Sequence, residues 1–267
     1  MLTSLKNPWI KTLRKLHQAK YRRQQQQFLL EGTHLLEEAV ATRYPLAAVC
    51  ATLTWQHRHP ALWQQLKRST QRQETVSPEV LAAIATTQTP DGVVAIAATP
   101  TFTQLIQQPV LGLALEDIQD PGNVGTVIRT AAAVGSDGIW LSQHSVDLTH
   151  PKVLRASAGQ WFRLPKQTGP DLSTQLSTWR GQGCQILALA ATGAVPYWQL
   201  DLTVPTVLVL GNEGAGLSTT AIAAADQTIA IPMMNDVESL NVGVAAAVVL
   251  FEAWRQRQHS PKSLNGE

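Results

Sequence analysis

The sequence predicts an α/β protein in two parts, a C-terminal domain built on a buried parallel sheet and a smaller N-terminal α/β domain ahead of it. Three observations carry that prediction. The length, 267 residues, suits two ordinary domains, each able to bury its own core. Short apolar runs alternate with helical stretches along the whole chain. Between the two series, ATPTFTQLIQQP (98–109) holds two prolines, no charge and little periodicity, as a linker would. The expected domains are therefore residues 1–105 and 106–267.

Taken in order, residues 8–24 read as one basic amphipathic helix, followed by a short strand at 28–30 and a helix over 33–42. LAAVCA (46–51), ETVS (74–77) and GVVAIA (92–97) then read as strands, separated by helical segments around Trp63 and Leu81. In the second part the apolar runs VLGLALE (110–116), GIWLS (138–142), CQILALA (184–190), TVLVLG (206–211) and QTIAIP (227–232) lack polar alternation, the mark of strands covered on both faces.

Composition narrows the class further. Hydrophobic residues make 44% and charged residues 15%, with 17 Gly and 15 Pro, which excludes disordered and collagen-like chains. The longest apolar run, 242–251, is far short of the roughly 20 residues that span a bilayer. The opening MLTSLKNPWIKTLRK is basic, without the apolar stretch of a secretory signal, so a cytoplasmic location is expected. Cys50 and Cys184 stand alone and far apart, which points to buried reduced thiols rather than a disulfide framework or a zinc site.

The net charge of +2 hides an asymmetry. Residues 1–105 hold 12 Lys/Arg against 6 Asp/Glu, leaving 9 against 13 for the remainder. Lys6, Lys11, Arg14, Lys15, Lys20, Arg22 and Arg23 precede the first acid, a run that suits a polyanion such as nucleic acid, although a solvated helix face would look the same. Trp9, Trp55 and Trp63 offer base-stacking surfaces, with core packing the commoner fate of tryptophan.

An open α/β sheet binds its ligand in the loops at the carboxyl ends of its strands, and three such loops are unusual. DPGNVGTVIRTAAAVG (120–135) turns from a strand into an Ala-rich helix carrying Arg129. LVLGNEGAGLS (208–218) places Gly211, Gly214 and Gly216 straight after a strand, so backbone must approach something closely, with Ser218 positioned to cap a helix. IPMMNDVESLNVGVAAAVVLFE (231–252) crosses a polar loop into a small-residue helix. No GxxxxGK[ST] is present, the glycines run in the wrong order for GxGxxG, and neither GxSxG nor HExxH occurs. Nucleotide hydrolysis, nicotinamide-dependent redox chemistry and zinc hydrolysis thus lack their residues.

Together the three segments resemble the SpoU (TrmH) family of RNA 2'-O-ribose methyltransferases. Asn123 and Arg129 stand as in the family's first motif, Gly211, Glu213, Gly216, Leu217 and Ser218 as in its second, and IPM with SLNV (239–242) as in its third. The matching region covers roughly 110–255. The opening domain, with FLLEG (28–32) after the basic segment, resembles the RNA-binding domain that many members carry. Asn235 departs from the pattern, since many members have glycine in that loop.

The resemblance implies a SPOUT-type domain with a deep trefoil knot, a topology general folding rules disfavour. It also implies a homodimer that binds structured RNA and holds S-adenosylmethionine in a bent shape, with the partner subunit completing each site. Leu189, Gly211, Ile231, Ser239 and Leu240 would line the cofactor pocket, with backbone groups of Gly211, Ile231 and Leu240 on the adenine. Arg129 is the residue the family implicates in activating the ribose hydroxyl. A guanidinium with a pKa above about 12 is better suited to steering a phosphate and stabilising a developing alkoxide than to removing a proton. Asn123, Glu213, Ser239 and Asn241 would orient these groups.

Each has a plainer reading: Asn123 as a turn residue, Ser239 as the cap of the last helix, Arg129 as a partner of Asp120, Glu213 as a solvated turn residue. Their joint occurrence in three ordered loops favours the functional one. The full N-terminal domain favours ribosomal over transfer RNA, while a transfer-RNA enzyme and a catalytically silent RNA-binding paralogue stay open.

Overall fold

The computed structural model describes residues 1–102, 106–191 and 194–259. Contacts group the chain into two compact units, Met1–Pro100 together with Asp147–Arg163, and Thr101–Val146 together with the chain from Leu164 onward. The expected boundary at residue 105 lies outside the described residues. Assignment of 147–163 to the first unit is a feature that a single cut in the sequence does not anticipate.

The first unit carries a four-stranded sheet in the order β1 (Gln27–Glu31), β4 (Val93–Ala98), β2 (Leu46–Ala51), β3 (Thr70–Thr75). β4 is antiparallel to both neighbours, and β2 and β3 are parallel. Its helices are α1 (Pro8–Lys15), α2 (Ala19–Gln25), α3 (Thr33–Ala41), α4 (Leu53–Arg58), α5 (Pro60–Ser69), α6 (Pro78–Ile84) and, in the segment 147–163, α8 (Pro151–Ala156). The predicted strand at 74–77 instead spans Thr70–Thr75, paired with β2 from Leu46 onward, and it stops at Thr75 because the chain then turns into the Ser77-capped α6.

The single helix expected over 8–24 is two. Asn7 caps α1 and Pro8 starts it, and Ile10, Leu13 and Leu16 on its inner face enter the core with Val80, Ile84 and Ile96. The backbone then breaks at Gln18, which is extended. Arg22, 1% exposed, explains how that break is tolerated: its Nη1 donates to the carbonyls of Leu16 and His17 at 3.1 and 3.0 Å, satisfying groups left open at the end of α1. Its Nη2 lies 2.7 Å from Asp147 Oδ2, and Thr149 donates to the other carboxylate oxygen. Arg22 therefore belongs to the core and not to the basic surface. Lys6, Lys11, Arg14, Lys15, Lys20 and Arg23 remain exposed. Trp55 is 2% exposed with its Nε1–H bonded to Thr33, a core residue, whereas half-buried Trp9 carries the Arg72 guanidinium 3.7 Å over its ring.

The second unit is a seven-stranded sheet, parallel throughout, in the order β7 (Lys166–Gly169), β6 (Gly138–Ser142), β5 (Leu111–Leu115), β10 (Thr206–Leu210), β8 (Gln185–Leu189), β11 (Gln227–Ala230), β9 (Val195–Pro196). β5, β6 and β10 are buried along their whole length, as their unbroken apolar sequences predict. β7 and β9 at the two edges were not foreseen, being short and polar or proline-containing. The remaining helices are α7 (Pro121–Ala133), α9 (Leu172–Gly181), α10 (Thr219–Ala224) and α11 (Val242–Gln258). α7 and α11 pack together, and a Cβ at Gly243 would stand 3.1 Å from Thr126 Cγ2, so the small residue brings the two helices close. Both cysteines are buried free thiols; burial pushes Cys50 up to about 12. No helix among the described residues is long and apolar enough to cross a membrane.

Candidate functional site

Strand order in the second unit runs outward from β5 through β6 to β7 on one side and from β10 on the other, so the chain's direction of winding reverses between β5 and β10. A crevice at the carboxyl ends of strands flanking such a reversal is where an open α/β sheet binds ligand. The three unusual loops emerge at that edge, after β5, β10 and β11.

A chain of hydrogen bonds ties them together. Asn241 Nδ2 donates to Asn123 Oδ1 at 2.9 Å, and Asn123 Nδ2 donates to Glu213 Oε1 at 2.9 Å. The Glu213 carboxylate also accepts from the backbone N–H groups of Gln119 and Asp120, at 3.1 and 3.0 Å. Burial works to raise the Glu213 pKa, but hydrogen bonds from Asn123 and from those two peptide groups outweigh it and hold the carboxyl below its ordinary value. Glu213 is thus an anchored anion, not a solvated turn residue.

The caps are set differently from the plainer readings. Asp120 accepts from the N–H groups of Gly122 and Asn123 at the start of α7, which frees the Asn123 side chain for the chain above. Asn241, and not Ser239, caps α11 through bonds from Gly243 and Val244. Ser239 is exposed at the cavity wall. Arg129, exposed on α7, has no hydrogen bond or ion pair among the described residues, so pairing with Asp120 is not its role.

Glycine at 211 has a local cause. A Cβ there would overlap the carbonyl of Gly216 and the N–H of Leu217, because the loop folds back over its own start. The close neighbour is the loop itself. Reciprocal bonds between Asn212 and Gly216 close it, and Gly216 takes φ +71°. Two supporting residues escaped the sequence reading. Asn212 accepts from Gly214 and Ala215 and donates to the Asp117 carbonyl, and Glu116 receives both the N–H and the hydroxyl of Ser218. An Asx turn inside the glycine loop and an acid closing the first strand were the available signals.

Asn235 resolves simply. Met234–Val237 form a tight turn in which Asn235 and Asp236 both have φ +56° and the Val237 N–H bonds the Met234 carbonyl. Such a turn needs glycine, asparagine or aspartate at both central positions, so asparagine replaces glycine without strain.

The loops after β8, β10 and β11 enclose a cavity of about 520 Å³. Leu189 to Ala191, Leu210 to Leu217, Ile231, Met233 and 238–242 line it, so Leu189, Gly211, Ile231, Ser239 and Leu240 come together on one wall system with Glu213 and Asn241. Arg129 and Asn123 are not among the lining residues.

Residues 111–251 match the model of the SpoU rRNA Methylase family, and residues 7–95 match that of the MRM3-like substrate binding domain. The chain belongs to the SpoU family. Among SpoU relatives, a Synechocystis protein named as an uncharacterized tRNA/rRNA methyltransferase is 46% identical over 96% of this chain and 94% of its own length. The 23S rRNA (guanosine(2553)-2'-O)-methyltransferase RlmP of Bacillus subtilis is 31% identical over 94% of this chain and 97% of its own. Among solved structures, AdoMet-bound rRNA methyltransferase from Sinorhizobium meliloti superposes with TM-score 0.84 at 30% identity, over 95% of this chain and 97% of that one. The SpoU methyltransferase AviRb of Streptomyces viridochromogenes, in complex with AdoMet, gives 0.86 at 28% identity over 96% and 100%.

S-adenosylmethionine is the cofactor of this SpoU protein, and the cavity suits it. Its volume falls in the range of small-molecule sites, about 300–1,000 Å³. No hydrogen bond among the described residues engages the peptide groups of Gly211, Ile231 or Leu240, all of which belong to the cavity lining. The charged side chains on the wall are Glu213 and Glu238, both acidic, in keeping with a cationic ligand.

Proposed function

We propose that this S-adenosylmethionine-dependent RNA methyltransferase acts on a ribose 2'-hydroxyl of ribosomal RNA. The observation that carries the reading is the hydrogen-bonded chain Asn241–Asn123–Glu213, which ties the three motif loops together beside a cavity lined by the second and third of them. The bound cofactor supplies an electrophilic sulfonium methyl. Gly211, Ile231 and Leu240 hold its adenine through their peptide groups, with Leu189 and Ser239 beside them. Asn123, Glu213 and Asn241 keep the loops in register, and positioning of this kind supplies much of the rate in a displacement. Arg129 steers the phosphate next to the acceptor ribose and stabilises the alkoxide as it forms.

Arg129 does not line its own subunit's cavity, which supports a site completed across a homodimer. α11 offers the surface: Val244, Phe251 and Trp254, at 48, 49 and 43% exposure, form an outward apolar stripe. We further propose that the segment after β11 threads the trefoil knot and that the enzyme works in the cytoplasm. Residues 1–105 serve as the RNA-binding domain and 106–267 as the catalytic domain, with 147–163 of the latter grouped with the first unit. The full-length match to RlmP and the separate substrate-binding domain favour ribosomal over transfer RNA.

The test is transfer of labelled methyl from S-adenosylmethionine to total RNA lacking native modification, comparing wild type with Arg129→Ala. Label at one ribose 2'-hydroxyl of ribosomal RNA, reduced at least a hundredfold in the variant, is expected on the scale of lost electrostatic stabilisation. Label only in transfer RNA overturns the substrate. Tight RNA binding with no label on any RNA favours the silent paralogue.

A further inference from the structure

The cavity wall contains two carboxylates that differ in what they touch. Glu213 is spoken for by Asn123 and by two peptide N–H groups. Glu238 lines the same cavity, is exposed, and has no hydrogen bond or ion pair among the described residues. No lysine or arginine lines the cavity to offset it. The loop that carries Glu238 is pinned on one side by the tight turn at Met234–Val237 and on the other by Asn241, which caps α11 and bonds Asn123. An uncompensated carboxylate is thereby held at the wall without serving the loop's own structure.

We propose that Glu238 makes the cavity select the cationic methyl donor over its own product. The inference rests on the cofactor reading of the cavity. S-adenosylmethionine carries a sulfonium, an ammonium and a carboxylate, one net positive charge; after methyl transfer the sulfur is a neutral thioether and the net charge is zero. Donor and product otherwise share every recognition group, so contacts with adenine, ribose and the amino-acid end bind both alike. Only the field at the sulfur separates them. A charge inside a cavity of 520 Å³ lies within about one Debye length of the wall at physiological salt, so screening does not erase the effect. Specificity of this kind is a difference between two affinities, and the wall charge enters that difference through the one positive charge that the reaction removes. The consequence is exchange: loss of the positive charge on reaction removes part of what holds the ligand, and fresh donor displaces spent product.

Equilibrium binding to the full-length protein without RNA tests this, using three probes: S-adenosylmethionine, S-adenosylhomocysteine, and sinefungin, which carries an ammonium where the donor has its sulfonium. Glu238→Gln keeps the side chain's size and removes its charge. It should weaken S-adenosylmethionine and sinefungin about two- to fivefold, the range for an exposed charge pair, and leave S-adenosylhomocysteine unchanged. Asp236→Asn, which removes a charge from the same loop at a position that does not line the cavity, should leave all three affinities unchanged. The wild type's preference for the two cations should shrink as salt is added. A parallel loss of all three ligands in Glu238→Gln, or no loss of either cation, overturns the proposal. Wild-type protein that binds none of the three overturns the cofactor reading itself, a result distinguishable from both.

Discussion

Gly211 shows how little room single residues have in this site. Its Cβ-to-be would overlap the backbone of Gly216 and Leu217, so the obstacle is main chain and cannot swing aside as a side chain could. Gly211→Ala is expected to open the loop after β10 and weaken S-adenosylmethionine binding at least tenfold by calorimetry, with the thermal midpoint little changed because the loop lies outside the core. Asn235 makes the complementary case. With φ +56° the position accepts glycine or asparagine, whereas a β-branched residue there pays about 1–2 kcal/mol. Asn235→Gly should therefore hold cofactor affinity within about twofold, and Asn235→Val should reduce it about five- to thirtyfold; equal affinities would show that the turn does not govern the pocket.

The elements are held by specific polar residues where apolar periodicity stops. α1 and α2 look like one amphipathic helix in sequence, and the buried Arg22 makes them two by capping the end of the first and pairing with Asp147. Burial pushes the Asp147 pKa up, but the hydrogen bonds from Thr149 and the Arg22 guanidinium outweigh it and hold the carboxyl below the usual range. Removing one partner of such a pair costs about 3–5 kcal/mol, because the other charge stays buried. Asp147→Asn is expected to lower stability by that order at pH 7 in urea denaturation. A depressed carboxyl pKa contributes stability above its unfolded value, about 3.9, and loses it as pH falls through the folded value. The gap between wild type and Asp147→Asn should accordingly close as the pH drops below about 4. A gap independent of pH would show that the lost stability is packing alone.

For the whole molecule, the exposed stripe on α11 bears on assembly. Val244, Phe251 and Trp254 recur at helical spacing on the surface of the helix that packs against α7, the carrier of Arg129. Phe251→Glu should convert the proposed dimer to monomer in sedimentation experiments and abolish methyl transfer, while cofactor binding persists. A dimer undisturbed by this change would put the interface elsewhere.

The sequence by itself determined the α/β class, the buried parallel strands and the three motif loops, because unbroken apolar runs and glycine-rich turns report local physics that neighbours only reinforce. It named Asn123, Glu213 and Asn241 without saying that Asn123 bonds the other two, since those contacts join residues 90 and 118 positions apart. Tertiary structure alone decided that Arg22 is a core residue and not part of the basic surface, that residues 147–163 group with the first unit, and that Gly211 is glycine because its own loop returns over it. Periodicity records which side of an element faces inward. Which buried cation finds which carboxylate, and which backbone crowds which glycine, depends on distant segments meeting, and a linear pattern carries no record of that.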